Sequence, residues 1–456
     1  MSQKVAFFIE CVMASKKQLI REVPVTTFRV EELKNFVIAG EKSYPPVFVG
    51  RKPILDEIFQ KSILGFEQGT APSGNARIIQ GAPGAGKTSI LLELERCGQQ
   101  GNYAPRTVVV TNVEIEQHLS YVLKSIAMAA SAPRQDWIKT ITHMGSYVGT
   151  RLGEISVLGF STDFARLVES SHPKDLYELG KVVPSSKWVH PVILAVDEAQ
   201  RLRGGKSTFY AQCLQSIHDA HQIRLPLTLV FAGLGDTQER VNELGITNGA
   251  YAFPVGALNA QEQAQVIDGF CDHFGLQVGR QHDRLHAFFE PTDGWPRHLY
   301  WAQRALAEVL LDPAVDGHFD NIADWTLVEQ RRDQFRLGYY EDRTSSTMKM
   351  SNKLVGALMR SIDRYEQNNQ HLTLSAIANI LKKCAQRGHD DEAWLLPDNQ
   401  TARSYIRHLI HQGALAEDIT KDTFVCPIPS FQTHLIERAR FKSEELSELD
   451  HMISQE

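Results

Sequence analysis

The sequence predicts an α/β protein with a parallel sheet, followed by a helical region and a small C-terminal domain. Three observations support this prediction. Runs such as 76–80 and 192–196 are short and apolar on both faces, which is typical of buried parallel strands. A helical pattern without strands extends from 255 to 310. After residue 349, three helical patterns precede two strand-like segments.

Length and composition describe a globular protein of several domains. A chain of 456 residues is longer than the chains that usually fold around one hydrophobic core, so we expect two to four domains of roughly 100–200 residues each. The apolar share of 43% and the charged share of 22% are typical of folded proteins. A net charge of −6 provides no overall basic field for nucleic acid, so any DNA contact must be local.

Cysteine and histidine spacing favours neither a zinc site nor a disulfide framework. The six cysteines are scattered without a Cys-x-x-Cys pair, which fits a reducing, cytoplasmic compartment. No histidine shows zinc-site spacing with Cys, Asp or Glu; His408 and His411 come nearest, and we expect them to be surface residues. No apolar run approaches the roughly 18 residues of a membrane helix, and Glu10 interrupts the only stretch that resembles a signal peptide.

The pattern along the chain predicts further strands and helices. Apolar or β-branched runs at 107–111 and 225–232 predict two more strands, and 89–97 predicts a helix. The remaining expected elements are a helix over 115–130, a hairpin-like insertion over 151–164, a polar linker over 341–347, helices over 349–367, 373–387 and 399–412, strands over 414–419 and 422–427, and a last helix from Pro429.

A glycine-rich segment joins the strand at 76–80 to the helix at 89–97. Its residues match the pattern G-x-x-x-x-G-K-[ST] at every fixed position. Glycines let such a loop curl so that its N–H groups point at phosphate oxygens, and the helix start adds the positive end of its dipole. Lys87 is expected to reach the β- and γ-phosphates, and the Thr88 hydroxyl to bind the metal. The predicted cofactors are ATP and Mg²⁺, held by Gly81, Ala82, Pro83, Gly84, Ala85, Gly86, Lys87, Thr88 and Ser89.

Two carboxylates follow the apolar strand at 192–196. Asp197 can hold magnesium through water, and Glu198 can polarise the attacking water. An apolar strand that ends in Asp-Glu is common by itself, but beside a phosphate-binding segment the pair is predicted to be catalytic.

Four segments together resemble P-loop NTPases of the AAA+ type. They are Phe48-Val49-Gly50-Arg51, the phosphate-binding segment, Asp197-Glu198-Ala199-Gln200 and Gly294-Trp295-Pro296-Arg297. The branch that they resemble contains origin-recognition-like initiators, transposition ATPases of the MuB/TniB kind and ExeA-like proteins, and STAND signalling ATPases share the layout. The resemblance covers about residues 46–310 and implies an AAA+ core with a helical lid.

The resemblance also implies roles for individual residues. Gly50 and Arg51 would lie beside the adenine. Arg297 would contact the γ-phosphate from the lid as a sensor-2 arginine, and so act with Lys87 and Glu198 in catalysis; the alternative is that Arg297 caps a helix beside a proline turn.

The end of the strand at 225–232 departs from the family pattern. The expected sensor-1 Asn or Ser is missing, so Asp236 or Thr237 substitutes for it or the sensor is degenerate, which puts fast hydrolysis in doubt. Arg240 is a candidate arginine finger, although a solvated helix face is the simpler explanation. Sites of this family resemble one another in being completed by a neighbour's arginine, which implies a homo-oligomer.

The C-terminal pattern looks like a winged helix-turn-helix. Its third helix, 399–412, would be the recognition helix for duplex DNA, with Arg403 and Arg407 four residues apart on the outer face. Winged helices also bind proteins, and basic residues barely outnumber acidic ones between 345 and 440. DNA and protein binding therefore both remain open.

The predicted organisation leads to two functional hypotheses. The first is an ATP-driven switch that couples ATP hydrolysis to DNA and an unidentified partner protein, as in replication initiation, transposition or mobile-element maintenance. The second is a STAND-type signalling or defence ATPase that regulates a partner without binding DNA. A metabolic kinase fits the Asp197-Glu198 pair poorly.

The predicted domains are an N-terminal extension (1–45), an AAA+ core (46–255, with an insertion at about 131–190), a helical lid (256–340), a winged-helix domain (345–440) and an acidic tail (441–456).

Overall fold

The computed structural model describes most of the chain outside one long internal segment. The described residues are 28–39, 45–68, 76–100, 105–111, 188–202, 227–244, 250–346, 352–368, 372–386, 401–418 and 423–455, with single positions at 122, 125, 126, 128–130, 246 and 370. The predicted hairpin at 151–164 lies outside the described residues. The same holds for nearly all of the predicted insertion and for most of the helix expected over 115–130.

The described strands form two sheets. They are β1 (Ala76–Gln80), β2 (Arg106–Thr111), β3 (Val192–Asp197), β4 (Leu227–Gly233), β5 (Tyr251–Pro254), β6 (Ala416–Asp418) and β7 (Thr423–Val425). The first five pair in the order β2-β3-β4-β1-β5, and every pairing among them is parallel. The last two form an antiparallel pair. All the strands that the sequence predicts among the described residues are confirmed, and their ends agree with the prediction within two residues.

Thirteen α-helices are named within the described ranges. They are α1 (Val30–Ala39), α2 (Lys52–Gln68), α3 (Lys87–Gln100), α4 (Thr237–Glu243), α5 (Ala260–Phe274), α6 (His282–Phe289), α7 (Pro296–Leu310), α8 (Trp325–Ser346), α9 (Asn352–Gln367), α10 (Leu374–Gln386), α11 (Ala402–Gln412), α12 (Pro429–Arg438) and α13 (Ser443–Ser454). None of these helices is both long enough and apolar enough to cross a membrane.

The first of two compact units is built on the five-stranded sheet. Its described parts lie within Arg51–Gln80 and Lys87–Pro254. Strand side chains such as Ile78, Leu194 and Phe231 are buried, as the uninterrupted apolar runs require. Because all five strands are parallel, their carboxyl ends share one edge of the sheet, and in such sheets ligands bind at that edge.

The second unit combines Pro24–Gly50, Gly81–Gly86 and Val255–Glu456. Its aromatic core includes α1, whose place the sequence did not predict. Phe36 of α1 packs edge-on against Phe270, with ring centroids 5.6 Å apart, and against Tyr300 at 5.4 Å. The backbone N–H of Arg29 donates to the carbonyl of Phe274, which fixes the start of α1 on α5. This part of the N-terminal extension therefore belongs to the packed core of the second unit.

The C-terminal region has the predicted order of elements. Helices α9, α10 and α11 precede the β6–β7 pair, and α12 follows. The apolar residues that the helical periodicity placed inward are buried, including Leu354, Leu358 and Ile362 on α9.

The structure corrects the predicted linker and shows a helix within the acidic tail. The linker expected over 341–347 is wrong, because α8 continues as a helix to Ser346. Thr344 in this segment is buried, and its hydroxyl bonds back to the carbonyl of Tyr340 in the helix itself at 2.9 Å. The acidic tail forms α13, whose Leu449, Met452 and Ile453 are buried.

An ion-pair cluster anchors α13 to α9. Asp450 accepts hydrogen bonds from Arg360 at 2.9 and 2.8 Å and from Arg364 at 3.4 and 2.5 Å. These bonds, Arg360 first, lower the pKa of the Asp450 carboxyl. A depressed folded-state pKa contributes stability above the unfolded-state pKa, and this stability is lost as the pH falls through the folded-state value.

We predict that Asp450→Asn destabilises the second unit by about 1 kcal/mol, since it removes a charge-assisted pair with two arginines. The difference from wild type should shrink on acidification, because protonation removes the same charge. Chemical denaturation at pH 7 and below pH 4 measures both effects. Glu444→Gln, an exposed substitution on the same helix, is the control and should cost less than half as much. An equal cost for the two variants would contradict the assignment.

Candidate functional site

The glycine-rich segment is the loop between β1 and α3. β1 ends at Gln80 and α3 begins at Lys87, so the loop consists of Gly81–Gly86. Gly84 has a φ of +84°, a backbone angle that residues other than glycine rarely adopt. A Cβ there would also lie 2.9 Å from both Arg297 Cβ and Trp295 Nε1, so close packing as well as the backbone angle requires glycine.

A hydroxyl and a carboxylate meet in the first unit. The Thr88 hydroxyl, at the start of α3, donates to Asp197 Oδ2 at the end of β3, over 2.9 Å. Burial raises the pKa of Asp197, while the hydrogen bond from Thr88 opposes the rise. A hydroxyl oxygen and a carboxylate at this spacing are hard oxygen donors of the kind that Mg²⁺ prefers, so the two residues fit the predicted metal.

Glu198 lies immediately beyond β3 in a strained backbone conformation. Its φ of 56° and ψ of 35° are left-handed, which is uncommon for a residue with a side chain. Its backbone N–H donates to Asp197 Oδ1 at 2.9 Å, and its carboxylate accepts from Gln200 Nε2 at 2.8 Å. Arg201 lies 3.2 Å from the same carboxylate oxygen, Oε2. Strain of this kind clusters at functional sites, which supports a functional role for Glu198.

Gln200 connects this carboxylate to the end of the neighbouring strand. Its Oε1 accepts from the backbone N–H of Leu234, just past β4, at 3.2 Å, while its Nε2 holds Glu198. Gln200 belongs to the Asp197-Glu198-Ala199-Gln200 segment, but no role is predicted for it from the sequence. Its two hydrogen bonds link the Glu198 carboxylate to the turn that follows β4.

The sensor-1 and arginine-finger candidates lie close together after β4. Thr237 is buried, and its hydroxyl donates to the Leu234 carbonyl at 2.6 Å, so it closes the turn into α4. Arg240 pairs with Asp236 at 3.7 Å and with Glu243 at 3.0 Å. Both ion pairs lie within the turn and first helix after β4, and the Arg240 side chain is 40% exposed. It is therefore accessible to a neighbouring molecule.

In the second unit, the start of α7 is bonded to the tip of the phosphate-binding loop. The backbone N–H of Arg297 donates to the carbonyl of Gly84 at 3.1 Å. Trp295 is fully buried just before the helix, and Pro296 occupies its first turn, where a missing N–H costs nothing. The neighbouring His298 is also buried, and burial, followed by the charge of Arg336, lowers its pKa to about 3, so it is neutral at physiological pH.

Tyr339 on α8 supplies a second bond to the same loop. Its hydroxyl donates to the carbonyl of Pro83 at 2.7 Å. The guanidinium groups of Arg297 and Arg343 lie 5.1 and 5.2 Å from its ring centroid, within cation–π range. Burial raises the pKa of Tyr339, which keeps its hydroxyl protonated as a donor. The sequence missed Tyr339 and Arg343, because neither lies in a motif and Tyr339 is 256 positions from Pro83.

The C-terminal region touches this loop at the end of α11. Gly413 follows the helix with a φ of +74°, and a Cβ there would lie 2.3 Å from Pro83 Cδ and 3.4 Å from Ala82 Cβ. Arg343 donates to the carbonyl of Gln412, one residue earlier, at 3.2 Å. The loop, α8 and the end of α11 therefore form one contact set in the second unit.

The other predicted residues are not members of this contact set. Gly50 has a φ of +78°, and a Cβ there would lie 2.6 Å from Glu262 Oε1. Arg51 precedes α2, and its carbonyl accepts the N–H groups of Ile54 and Leu55. Arg403 and Arg407 are exposed on α11, opposite the buried side of that helix.

Together, the sheet order β2-β3-β4-β1-β5, the glycine-rich loop after β1 and the paired carboxylates after β3 define a P-loop NTPase fold of the AAA+ type, as the sequence predicts. Among solved structures, the chain is similar to a Walker-type ATPase of Pyrococcus abyssi, with a TM-score of 0.50 and 15% identity over 88% of this chain and 99% of that chain. This likeness supports the fold.

Two other solved structures are similar at lower scores. The ORC2 protein of Aeropyrum pernix has a TM-score of 0.49 and 13% identity, over 92% of this chain and 98% of that chain. The ORC1 protein of the same organism, in complex with DNA, has a TM-score of 0.40 and 16% identity, over 91% and 98%. A scan against protein-family models and a search of curated proteins both found no match.

We predict that Tyr339→Phe weakens ATP binding about 3- to 10-fold. The change removes one hydrogen bond to Pro83, worth about 1 kcal/mol, and leaves the ring that Arg297 and Arg343 contact. Calorimetric titration with a non-hydrolysable ATP analogue measures the effect. Tyr340→Phe is the matched control, because the neighbouring hydroxyl bonds to Ser430 at 2.6 Å instead of to the loop. Equal losses in both variants would contradict a specific role for Tyr339.

Proposed function

We propose that this protein is an ATP-dependent switch, which binds ATP with Mg²⁺, hydrolyses it and controls the C-terminal region through the state of the phosphate-binding loop. The observation that carries the proposal is the contact set of Pro83, Tyr339, Arg343 and Gly413. It connects the loop to both α8 and α11 within one unit.

The residues at the loop fit the predicted nucleotide and metal. The loop's backbone N–H groups and Lys87 would hold the phosphates, and Thr88 with Asp197 would hold Mg²⁺. The metal, when bound, neutralises charge on the phosphate oxygens. Glu198 orients the attacking water and accepts its proton, while Gln200 holds the Glu198 carboxylate in place.

Arg297 has a separate part in this proposal. Its backbone holds the Gly84 carbonyl, and its side chain packs on Tyr339. We assign the side chain to the γ-phosphate, as the sensor-2 interpretation implies, while the backbone bond accounts for its place at the start of α7. Gly50 and Arg51 are assigned to the adenine, and Ser89 to the first turn of α3 beside the phosphates.

Nucleotide binding is coupled to the C-terminal region if the nucleotide binds one arrangement of the contact set more tightly than another. A ligand shifts an equilibrium only by its difference in affinity for the two states. Because Pro83 is contacted by both Tyr339 and Gly413, a change in loop shape on binding phosphate alters the contact with α11 directly. Arg343, bonded to Gln412 and packed on Tyr339, carries the same change along α8.

The proposed output is binding of duplex DNA and a partner protein. Residues 352–438 have the order of elements of a winged helix-turn-helix, and Arg403 and Arg407 are exposed on its third helix. This output suits replication initiation, transposition or maintenance of a mobile element. We propose a cytoplasmic homo-oligomer in which Arg240 of one molecule completes the site of the next.

A second candidate function is favoured by one specific contact. The end of α11 rests on Ala82 and Pro83, which is the arrangement that a STAND-type signalling ATPase would use to hold itself inactive. In that case the bound nucleotide controls the C-terminal region, and this region regulates a partner protein. Arg403 and Arg407 then contact no DNA.

ATP hydrolysis with and without duplex DNA tests the proposal. We expect wild-type turnover that DNA increases, a 10²- to 10⁴-fold loss of turnover in Glu198→Gln with ATP binding retained, and loss of ATP binding in Lys87→Ala. Arg403→Glu combined with Arg407→Glu should abolish the DNA effect and keep basal turnover. ATP binding without hydrolysis, DNA response or salt-dependent DNA affinity would support the signalling switch instead.

Coupling is tested by hydrogen exchange of α11. We expect nucleotide to change the exchange rates of residues 402–412 in the wild-type protein. In Arg343→Met, which keeps a long side chain but cannot donate to Gln412, the change should fall by at least half while ATP binding persists. Arg336→Met is the control, because its guanidinium donates to the Pro291 carbonyl at 2.6 Å instead. Identical responses in all three proteins would disprove coupling through Arg343.

A further inference from the structure

Two histidines and a carboxylate come together in the second unit, away from the phosphate-binding loop. His282 and His286 lie four positions apart on α6, and Asp268 lies on α5. One ligand atom from each residue lies within 4.8 Å of the others. The expectation that no histidines have zinc-type spacing took His408 and His411 as the nearest case and did not include the pair on α6.

We propose that these three residues form a binding site for a transition-metal ion of the Zn²⁺ class. Two histidines four apart on a helix present their rings to the same side, which is the arrangement of helical zinc ligands. The rings of His282 and His286 have centroids 4.5 Å apart and an interplanar angle of 38°, so both nitrogens can turn to one point. Imidazole and carboxylate together suit Zn²⁺, Co²⁺ or Ni²⁺ better than Mg²⁺ or Ca²⁺.

The separation of two of the ligand atoms matches a shared metal better than a direct hydrogen bond. His286 Nε2 lies 3.5 Å from Asp268 Oδ1, beyond the usual hydrogen-bond length. Two ligands on one tetrahedral zinc ion, with bonds of about 2.0–2.1 Å, are about 3.4 Å apart. His286 Nε2 is also shielded from solvent and makes no hydrogen bond to the described residues. A metal ion would satisfy this buried nitrogen.

The remaining two side chains can adjust to the ion. Those of His282 and Asp268 are 63% and 57% exposed, so small rotations can bring their ligand atoms, which already lie within 4.8 Å of the others, to tetrahedral spacing. Asp283 lies 3.6 Å from His282 Nδ1 and can orient that ring from outside the site. Water completes the coordination on the open side. The ion would join α5 to α6 and stabilise this part of the second unit.

Zinc binding by the full-length protein tests the proposal. The protein is stripped with a chelator and titrated with Zn²⁺ in millimolar Mg²⁺, which occupies oxygen-ligand sites. We expect one equivalent to bind, with a rise in Tm of about 3 °C at saturation. Co²⁺ should give the visible absorption of a tetrahedral site with nitrogen ligands.

The variants separate this site from adventitious binding. His282→Ala with His286→Ala should weaken Zn²⁺ binding at least 10-fold and remove both the Tm shift and the Co²⁺ spectrum. Asp268→Asn should weaken binding with less effect on the spectrum. His318→Ala with His451→Ala, two exposed histidines elsewhere, is the control and should bind as wild type does.

Equal affinity and stoichiometry in the His282/His286 variant and wild type would overturn the proposal, as would the absence of a bound equivalent in wild type. Neither result bears on ATP binding, so the test is independent of the proposed function.

Discussion

A phosphate-binding loop can turn its N–H groups inward only if its carbonyl groups find donors on the other side. At the tip of this loop, the Pro83 carbonyl accepts the Tyr339 hydroxyl and the Gly84 carbonyl accepts the N–H of Arg297. A fully buried carbonyl left without a partner costs about 1–3 kcal/mol, and Pro83 and Gly84 are half-buried, so these two donors contribute part of that stabilisation to the shape of the loop. The loop is therefore a joint product of its own glycines and of helices α7 and α8.

This dependence gives α8 a central position. The helix is 22 residues long, and its last two turns carry Tyr339, Arg343 and Thr344. Tyr339 contacts the loop, Arg343 bonds to the end of α11, and Thr344 bonds to Arg438 of α12. A single helix transmits displacement along its axis better than a flexible segment would. The polar stretch at 341–347 that resembled a linker instead supplies hydrogen bonds to two other parts of the unit, through Arg343 and Thr344.

The sequence predicted those parts of the fold and site that local patterns determine. The loop from Gly81 to Thr88 and the pair Asp197-Glu198 were found because their function requires fixed residues at fixed spacing. The strands were found because burial on both faces requires uninterrupted apolar residues. No role was predicted for Tyr339 or Gln200, since each acts through tertiary contacts that no spacing rule records. The packing of α1 was missed for a similar reason: two apolar residues, Leu33 and Phe36, carry it.

The order of segments along the chain has a consequence for how the protein is made. The second unit begins with Pro24–Gly50 and is completed only after the whole of the first unit has been synthesised. Until then, Leu33 and Phe36 of α1 have no aromatic core to enter, because Phe270, Phe274 and Tyr300 have not left the ribosome. A shortened protein that starts at the apparent edge of the nucleotide-binding core would leave these rings uncovered, and exposed aromatic surface of this kind promotes aggregation. Helix α1 therefore has to remain on the chain until the aromatic core of the second unit is complete.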